Sequence, residues 1–168
     1  MIRPSRVSLS EITGAVEDDP KSAPDDLSAV RVLLADGDES LREFYSRCLA
    51  ARGAVVTTAA NGVECIEELR TFQPHVLVLE PEILWGGGTG VIEWMLSDPE
   101  LPTTPVIAVT AARDLDQLRR MLKFPLYDLV VKPLGARQLV TKVRWVVDFA
   151  PKLGNVGWPR SPSPFPGA

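Results

Sequence analysis

Apolar residues between positions 30 and 150 follow two alternating periods. Short unbroken apolar or β-branched runs are typical of buried strands, and apolar residues that recur every three or four positions are typical of helices. The runs predict strands over residues 30–35, 54–59, 76–79, 105–110 and 129–131. The helical spacing predicts helices through residues 41–49, 65–72, 91–96, 115–122 and 139–150.

This order of elements predicts an α/β fold with a doubly wound parallel sheet. Strands that alternate with helices form parallel sheets, and right-handed crossovers place the helices on both faces. In open sheets of this kind, binding sites lie at the carboxyl ends of the strands, near the point where the strand order reverses. The residues that follow each strand are therefore the first candidates for a site.

The pattern stops near both ends of the chain, and this sets the predicted domain boundaries. Residues 1–28 are rich in Asp, Pro and Ser and predict a flexible lead-in. Residues 29–150 predict one domain. Residues 151–168 contain five prolines and three glycines and predict a tail without a helix or strand.

Composition excludes several classes of function. The net charge of −4 offers no basic surface for nucleic acid or for an anionic membrane. No apolar stretch approaches the roughly 20 residues of a membrane span, and the N-terminus lacks the apolar core of a signal peptide. We therefore expect a cytoplasmic protein in which Cys48 and Cys65 are reduced. The single histidine, His75, excludes a histidine-rich metal site.

Polar side chains follow four of the five predicted strands. Because the carboxyl ends of parallel strands share one edge of a sheet, we expect these side chains to converge. Carboxylates suit a hard cation such as Mg²⁺, and a lysine with a hydroxyl suits phosphoryl oxygens. The residues are Asp36 and Asp38, Glu80, Thr110 and Lys132, and Ala111 follows Thr110 at the same edge.

Each of these residues also has an ordinary structural interpretation. Asp38 is well placed to be the N-cap of the first helix, and we favour that role over a place in an acidic pocket. Thr110 alone suits a bond to nearby backbone, and Lys132 alone suits the surface. Together, at four strand ends, the set outweighs each separate interpretation.

Four segments, in this order and spacing, resemble the receiver domain of bacterial response regulators. They are VRVLLADGDESLRE, NGVECIEELRTFQPHVLVLEP, PVIAVTA and LVVKPL. The resemblance covers about residues 30–149. It implies a flavodoxin-like (βα)5 sheet with strand order 2-1-3-4-5 and a Lys-Pro pair that is usually joined by a cis bond.

The resemblance also implies a signalling chemistry. An aspartate after the third strand would accept a phosphoryl group from a histidine kinase, with Mg²⁺ bound nearby. The hydroxyl of the fourth strand and an aromatic of the fifth would then rearrange. This rearrangement would reshape the face formed by the fourth helix, the fifth strand and the fifth helix.

Three positions depart from that family pattern. The second acidic position is Gly37, which leaves Asp36 as the ligand of a weak or lost Mg²⁺ site. The phosphoacceptor position is Glu80, whose side chain is one methylene longer than that of aspartate. The switch aromatic position is Leu129, with Tyr127 two residues earlier.

These departures suggest signalling without phosphorylation. We expect the longer Glu80 carboxylate to approach Lys132 and Thr110 and to mimic part of the phosphorylated state. The predicted function is a stand-alone receiver-like protein, not an enzyme, that binds a histidine kinase or a downstream signalling protein. Two alternatives stay open: a decayed site in which Glu80 only pairs with Lys132, and a conventional Mg²⁺-dependent phosphoacceptor.

The last predicted helix carries a second apolar feature. Trp145 and Phe149 are spaced i, i+4 and lie off the apolar stripe of that helix. Such aromatics mark either a partner surface or a surface covered by the tail, residues 151–168. A homodimer through the fourth helix, fifth strand and fifth helix is one version of the partner surface.

A glycine-rich run at residues 86–90 supports a rival hypothesis. Glycines before a helix can bind phosphate, so nucleotide or flavin binding is a remote alternative function. The run lacks the G-x-G-x-x-G spacing and the P-loop lysine, which weakens that alternative.

Overall fold

The computed structural model describes residues 25–83 and 90–150 and confirms the predicted alternation of strands and helices. Predicted and observed element boundaries differ by only a few residues. The elements are β1 (Arg31–Ala35), α1 (Glu39–Ala50), β2 (Val55–Ala59), α2 (Gly62–Thr71), β3 (Val76–Leu79), α3 (Gly90–Ser97), β4 (Val106–Thr110), α4 (Leu115–Met121), β5 (Asp128–Val131) and α5 (Ala136–Phe149).

The five strands form one parallel sheet in the order β2-β1-β3-β4-β5. This is the flavodoxin-like order that the resemblance to receiver domains implies. The order reverses between β1 and β3, which are hydrogen-bonded neighbours with Ala35 opposite Leu79. The residues that follow these two strands are therefore side by side at the edge where sites form in such sheets.

Alternate residues of the central strands serve two separate hydrophobic cores. Val32 and Leu34 of β1 pack in the core that includes residues of α1 and α5, such as Leu49 and Val143. Leu33 and Ala35 pack in the core that includes residues of α2 and α3. Successive side chains of a strand point to opposite faces, so an unbroken apolar run is what a strand covered on both faces requires.

Side-chain caps fix where three of the helices begin. Asp38, Asn61 and Asp114 each accept a hydrogen bond from a backbone N–H three residues later, at the starts of α1, α2 and α4. After α1, Gly53 adopts a φ of +88°. A Cβ at this position would lie 2.9 Å from Ser28 Oγ, so both the conformation and the contact favour glycine.

The segment just before β1 is packed against the domain. The side chain of Leu27 is fully buried among residues of β1, α1 and α5. Its backbone N–H donates to Arg52 O at 2.7 Å, and Arg144 of α5 donates to Asp26 O at 2.6 Å. The folded unit therefore includes residues 25–28, which the sequence places in the lead-in.

Helix α4 forms as predicted from the spacing of its leucines, but two of these leucines do not face the core. Leu115 and Leu122 are 66% and 67% exposed, whereas Met121 is buried. The spacing identifies a helix but does not decide which of its flanks faces the core.

Several sequence-based expectations lie outside the described residues. These are the glycines at positions 86–88, the predicted tail at 151–168 and the first 24 residues of the chain. Within the part that the structure describes, no helix has both the length and the apolar character needed to cross a bilayer.

Candidate functional site

The side chains that follow β1, β3 and β5 meet at the carboxyl edge of the sheet. Glu80 N donates to Ala35 O at 2.7 Å, which extends the pairing of β1 and β3 by one residue and brings Asp36 beside Glu80. Lys132 N donates to Thr110 O at 2.8 Å, which does the same for β4 and β5. The predicted convergence of Asp36, Glu80, Thr110 and Lys132 at one edge is observed.

Lys132 lies between the two carboxylates. Its Nζ donates to Asp36 Oδ2 and to Glu80 Oε1, each at 2.7 Å. The side chains of Lys132, Asp36 and Glu80 are only 14%, 8% and 14% exposed. A mostly buried ammonium held by two carboxylates interacts far more strongly than a surface ion pair does.

The remaining carboxylate oxygens of this group also accept hydrogen bonds. Asp36 Oδ1 accepts from Asp38 N at 2.8 Å, and Glu80 Oε2 accepts from Gly37 N at 3.1 Å. Every oxygen of the pair therefore has a protein partner. Glu80 is directed toward Lys132 and Gly37.

This arrangement offers few side-chain ligands for a Mg²⁺ ion. Mg²⁺ needs several oxygen ligands in near-octahedral geometry, but Gly37 contributes no side chain, and each oxygen of Asp36 and Glu80 already accepts one hydrogen bond. Within residues 25–83 and 90–150, no three acidic, cysteine or histidine side chains are grouped to hold a metal. The positive charge between these carboxylates is the ammonium of Lys132.

The ionisation of this group follows from burial and from its hydrogen bonds. Burial raises the pKa of Asp36, and the bonds from Lys132 and Asp38 offset this only in part. Burial also acts to raise the pKa of Glu80, but the bonds from Lys132 and Gly37 outweigh it and hold that pKa below its usual value. Burial acts to lower the pKa of Lys132, yet its two carboxylate partners raise it overall.

Thr110 is bound to a different carboxylate from the one expected. Its hydroxyl donates to Glu82 Oε1 at 2.5 Å and accepts from Ala112 N at 2.9 Å. Thr110 is fully buried at the end of β4. The expectation that Glu80 approaches both Lys132 and Thr110 is therefore correct for Lys132 and wrong for Thr110.

Sequence reasoning missed Glu82, although a signal was present. The segment Glu80-Pro81-Glu82 places two carboxylates two residues apart, directly after a buried strand. Ile83 N donates to Glu80 O at 3.2 Å, so this segment forms a turn with proline at its second position, where proline is favoured. The turn directs the two carboxylates to different partners.

The structure supports the capping role for Asp38. Its Oδ1 accepts from Leu41 N at 3.1 Å, and its backbone N–H donates to Asp36. The Asp38 carboxylate therefore caps α1, and its contribution to the site is its backbone. Ala111 follows Thr110 and is exposed.

The fifth strand has no aromatic side chain at the switch position. Leu129 occupies that position and is half-buried. Tyr127 lies just before β5 and packs against the core shared with α1 and α5. The Lys132-Pro133 bond is cis, as the resemblance implies.

Exposed apolar side chains lie on α4, β5 and α5. Trp145 and Phe149 stack with ring centroids 5.4 Å apart and are 46% and 43% exposed. Lys142, one turn before Trp145 on the same flank of α5, pairs with Asp128 at the start of β5. This pairing links α5 to the start of β5. We call Leu115, Leu122, Val131, Trp145 and Phe149 the apolar face.

Comparison with known proteins agrees with this geometry. The family model for the response regulator receiver domain matches residues 32–144. The DNA-binding transcriptional regulator NtrC of Escherichia coli is 32% identical over 112 residues, which cover 67% of this chain and 24% of that protein. A Porphyra purpurea protein named "Probable transcriptional regulator ycf27" is 29% identical over 132 residues, which cover 78% of this chain and 53% of that protein.

Solved structures show the same fold. A CheY-like response regulator receiver domain protein from Methanospirillum hungatei superposes with a TM-score of 0.67 at 22% identity, covering 76% of this chain and all of that one. The chain spans about half the length, or less, of the curated relatives given above. With the strand order, the converging Asp36, Thr110 and Lys132, and a family match over more than half of its residues, the chain belongs to the response regulator receiver domain family of two-component signalling.

Proposed function

We propose that this receiver domain signals through protein contacts that do not require phosphorylation, with Glu80 in place of the phosphoacceptor aspartate. The observation that carries the proposal is the position of Lys132 Nζ, 2.7 Å from both Asp36 Oδ2 and Glu80 Oε1. The lysine that would hold phosphoryl oxygens is already neutralised by carboxylates of the chain itself. No phosphoryl group is needed to hold Lys132 in this position.

The geometry of Glu80 also disfavours attack on a phosphoryl donor. Both carboxylate oxygens accept hydrogen bonds, and the side chain is mostly buried. Catalytic groups have to be held within about 0.5 Å of a productive geometry, and a longer side chain held by Lys132 and Gly37 has a different reach from aspartate. Productive in-line approach is therefore disfavoured.

Glu80 reproduces only part of a phosphorylated aspartate. It supplies one charge and two oxygens, whereas a phosphoryl group supplies up to about two charges and three oxygens. Its contact with Lys132 is the part reproduced. The donor set around Asp36 supports the further proposal that Mg²⁺ binds weakly or not at all.

Output in this proposal depends on the apolar face. Stacked, exposed aromatics are typical of protein-binding surfaces. The partner we propose is another signalling protein, either a histidine kinase, a downstream target or a second copy of this chain. DNA binding belongs to the name of NtrC, of which this chain covers only 24%.

Two measurements on the full chain test the proposal. The first is a titration with Mg²⁺ and beryllofluoride, followed by tryptophan fluorescence. The second is incubation with acetyl phosphate and Mg²⁺, followed by intact mass. We expect no saturable Mg²⁺-dependent signal and no added phosphoryl group. A stable adduct that Glu80→Gln abolishes would refute the proposal and favour a conventional phosphoacceptor.

A double variant provides the matched positive control. Gly37→Asp with Glu80→Asp restores the second acid and shortens the acceptor, so both departures at the site are reversed together. We expect this variant to gain a Mg²⁺-dependent fluorescence change that the wild type lacks. If neither protein responds, the site has lost metal binding for a reason other than these two residues, and the assigned cause is wrong.

A further inference from the structure

Glu82 connects two loops at the site through one buried hydroxyl. Its Oε1 accepts from Thr110 Oγ1 at 2.5 Å, and the same Oγ1 accepts from Ala112 N at 2.9 Å. Glu82 lies in the loop after β3, whereas Ala112 lies in the loop between β4 and α4. The chain of hydrogen bonds therefore joins the loop after β3 to the loop that leads into α4.

The local backbone holds Glu82 in position for this contact. The turn closed by Ile83 N and Glu80 O has Pro81 and Glu82 at its two central positions. Pro81 and Ile83 are both buried, and Ile83 is only 2% exposed. Glu82 itself is exposed, but it lies between these two buried residues. Its carboxylate contacts Thr110 at the end of β4.

The hydroxyl of Thr110 has no donor left for another ligand. A threonine hydroxyl has one O–H to donate, and Thr110 gives it to Glu82. The oxygen in turn accepts from Ala112, which fixes the rotamer of the side chain from both sides. In addition, Leu129 leaves β5 without a ring that could follow a movement of Thr110.

We propose that Glu82 is a positioning residue that holds Thr110 and the β4–α4 loop in one arrangement without any phosphoryl group. This inference rests on the proposed function, because it divides the role of the phosphoryl group between two carboxylates. Glu80 satisfies Lys132, and Glu82 satisfies Thr110. The position of α4, with the exposed Leu115 and Leu122, is set by the second contact.

Hydrogen–deuterium exchange of the full chain tests the proposal at the Ala112 amide and in peptides that cover residues 111–121. Glu82→Ala and Thr110→Val remove the contact, and we expect about fivefold faster exchange there, the size expected for one lost hydrogen bond. Glu82→Gln and Thr110→Ser keep an acceptor and a hydroxyl, and we expect exchange within about twofold of wild type. Glu67→Ala, at an exposed glutamate of α2, is the matched control and should change nothing.

A double variant separates this role from a general loss of stability. If Glu82 acts through Thr110, Glu82→Ala combined with Thr110→Val should exchange no faster than Thr110→Val alone. Faster exchange that extends equally to β1 and β2, or failure of Glu82→Gln to restore protection, would overturn the proposal. So would unchanged exchange in Glu82→Ala.

The exchange experiment and the phosphorylation test can fail separately. If wild-type protein accepts a phosphoryl group but Glu82→Ala loosens the β4–α4 loop, the proposed function fails and the role of Glu82 stands. If the wild type accepts none and Glu82→Ala leaves the loop unchanged, the proposed function stands and the role of Glu82 fails.

Discussion

Gly37 N donates to Glu80 Oε2 at 3.1 Å, and a Cβ on Gly37 would lie 3.5 Å from the same oxygen. The missing second acid and the lengthened acceptor therefore lie in direct contact. An aspartate at position 37 would bring a third carboxylate toward Glu80 and Asp36. The two departures from the family pattern are therefore compatible, because glycine at position 37 adds no further negative charge next to Glu80.

This contact predicts a charge-specific response at position 37. Gly37→Ala should be tolerated, since 3.5 Å is ordinary van der Waals contact. Gly37→Asp should lower the free energy of unfolding by about 1 kcal/mol through repulsion from Glu80. Urea denaturation measures this. Gly37→Asn is the uncharged control of the same shape, and an equal loss in both variants would contradict the electrostatic explanation.

Lys132→Met should be strongly destabilising because it leaves two mostly buried carboxylates without their cation. We expect a loss of about 3 kcal/mol at pH 7 in the free energy of unfolding. The loss should shrink in acid, where Asp36 and Glu80 are protonated. Lys142→Met is the matched control, since the side chains of Lys142 and Asp128 are each 32% exposed, and its loss should stay below about 1 kcal/mol.

His75 should titrate below its usual range. Burial, together with the charge of Arg31, lowers its pKa from 6.5, and Nδ1 accepts from Arg31 N at 3.1 Å. The neutral form is favoured in the folded state, so its contribution to stability is present above pH 6.5 and is lost as pH falls through the folded pKa. The chain has one histidine, so a single NMR resonance reports the midpoint.

Two results would contradict this prediction for His75. One is a folded-state midpoint at or above 6.5. The other concerns the variant His75→Gln. If its stability decreases as steeply as that of the wild type when the pH is lowered from 6.5, a group other than His75 causes the decrease.

The two cysteines should differ sharply in reactivity. Both are free, Cys65 is buried and Cys48 is half-buried. Burial and the nearby Glu68 raise the pKa of Cys65 to about 12, which leaves almost no thiolate at neutral pH. A thiol reagent should label Cys48 first and reach Cys65 only in denaturant. Rapid labelling of folded Cys48→Ser would contradict this.

Trp145→Ala should weaken association through the apolar face while the fold is kept. Trp145 stacks on Phe149 and is 46% exposed, so its loss removes contact area outside the core. For a dimer through this face, sedimentation should show a dissociation constant about tenfold larger than that of the wild type. Trp94→Ala, at an exposed tryptophan of α3, is the control, and an equal effect in both variants would place the contact elsewhere.

The sequence predicts the fold and the convergence of the site because both depend on backbone periodicity. Asp36, Glu80 and Lys132 can be placed from the strand ends alone, since parallel strands share one edge. The partner of Thr110 could not be predicted, because it depends on the turn at Pro81 and on the direction of the Glu82 side chain. Likewise, helical spacing does not show that Leu115 faces outward while Met121 is buried.

The burial of Leu27 has a practical consequence for shortened versions of the protein. A truncation that begins at residue 29, where the strand pattern suggests a start, would delete a fully buried leucine and the backbone groups that bind Arg52 and Arg144. Removing a buried leucine side chain costs about 2–5 kcal/mol, a large share of the stability of an ordinary domain. Recombinant forms of the isolated domain should therefore begin at or before Asp25.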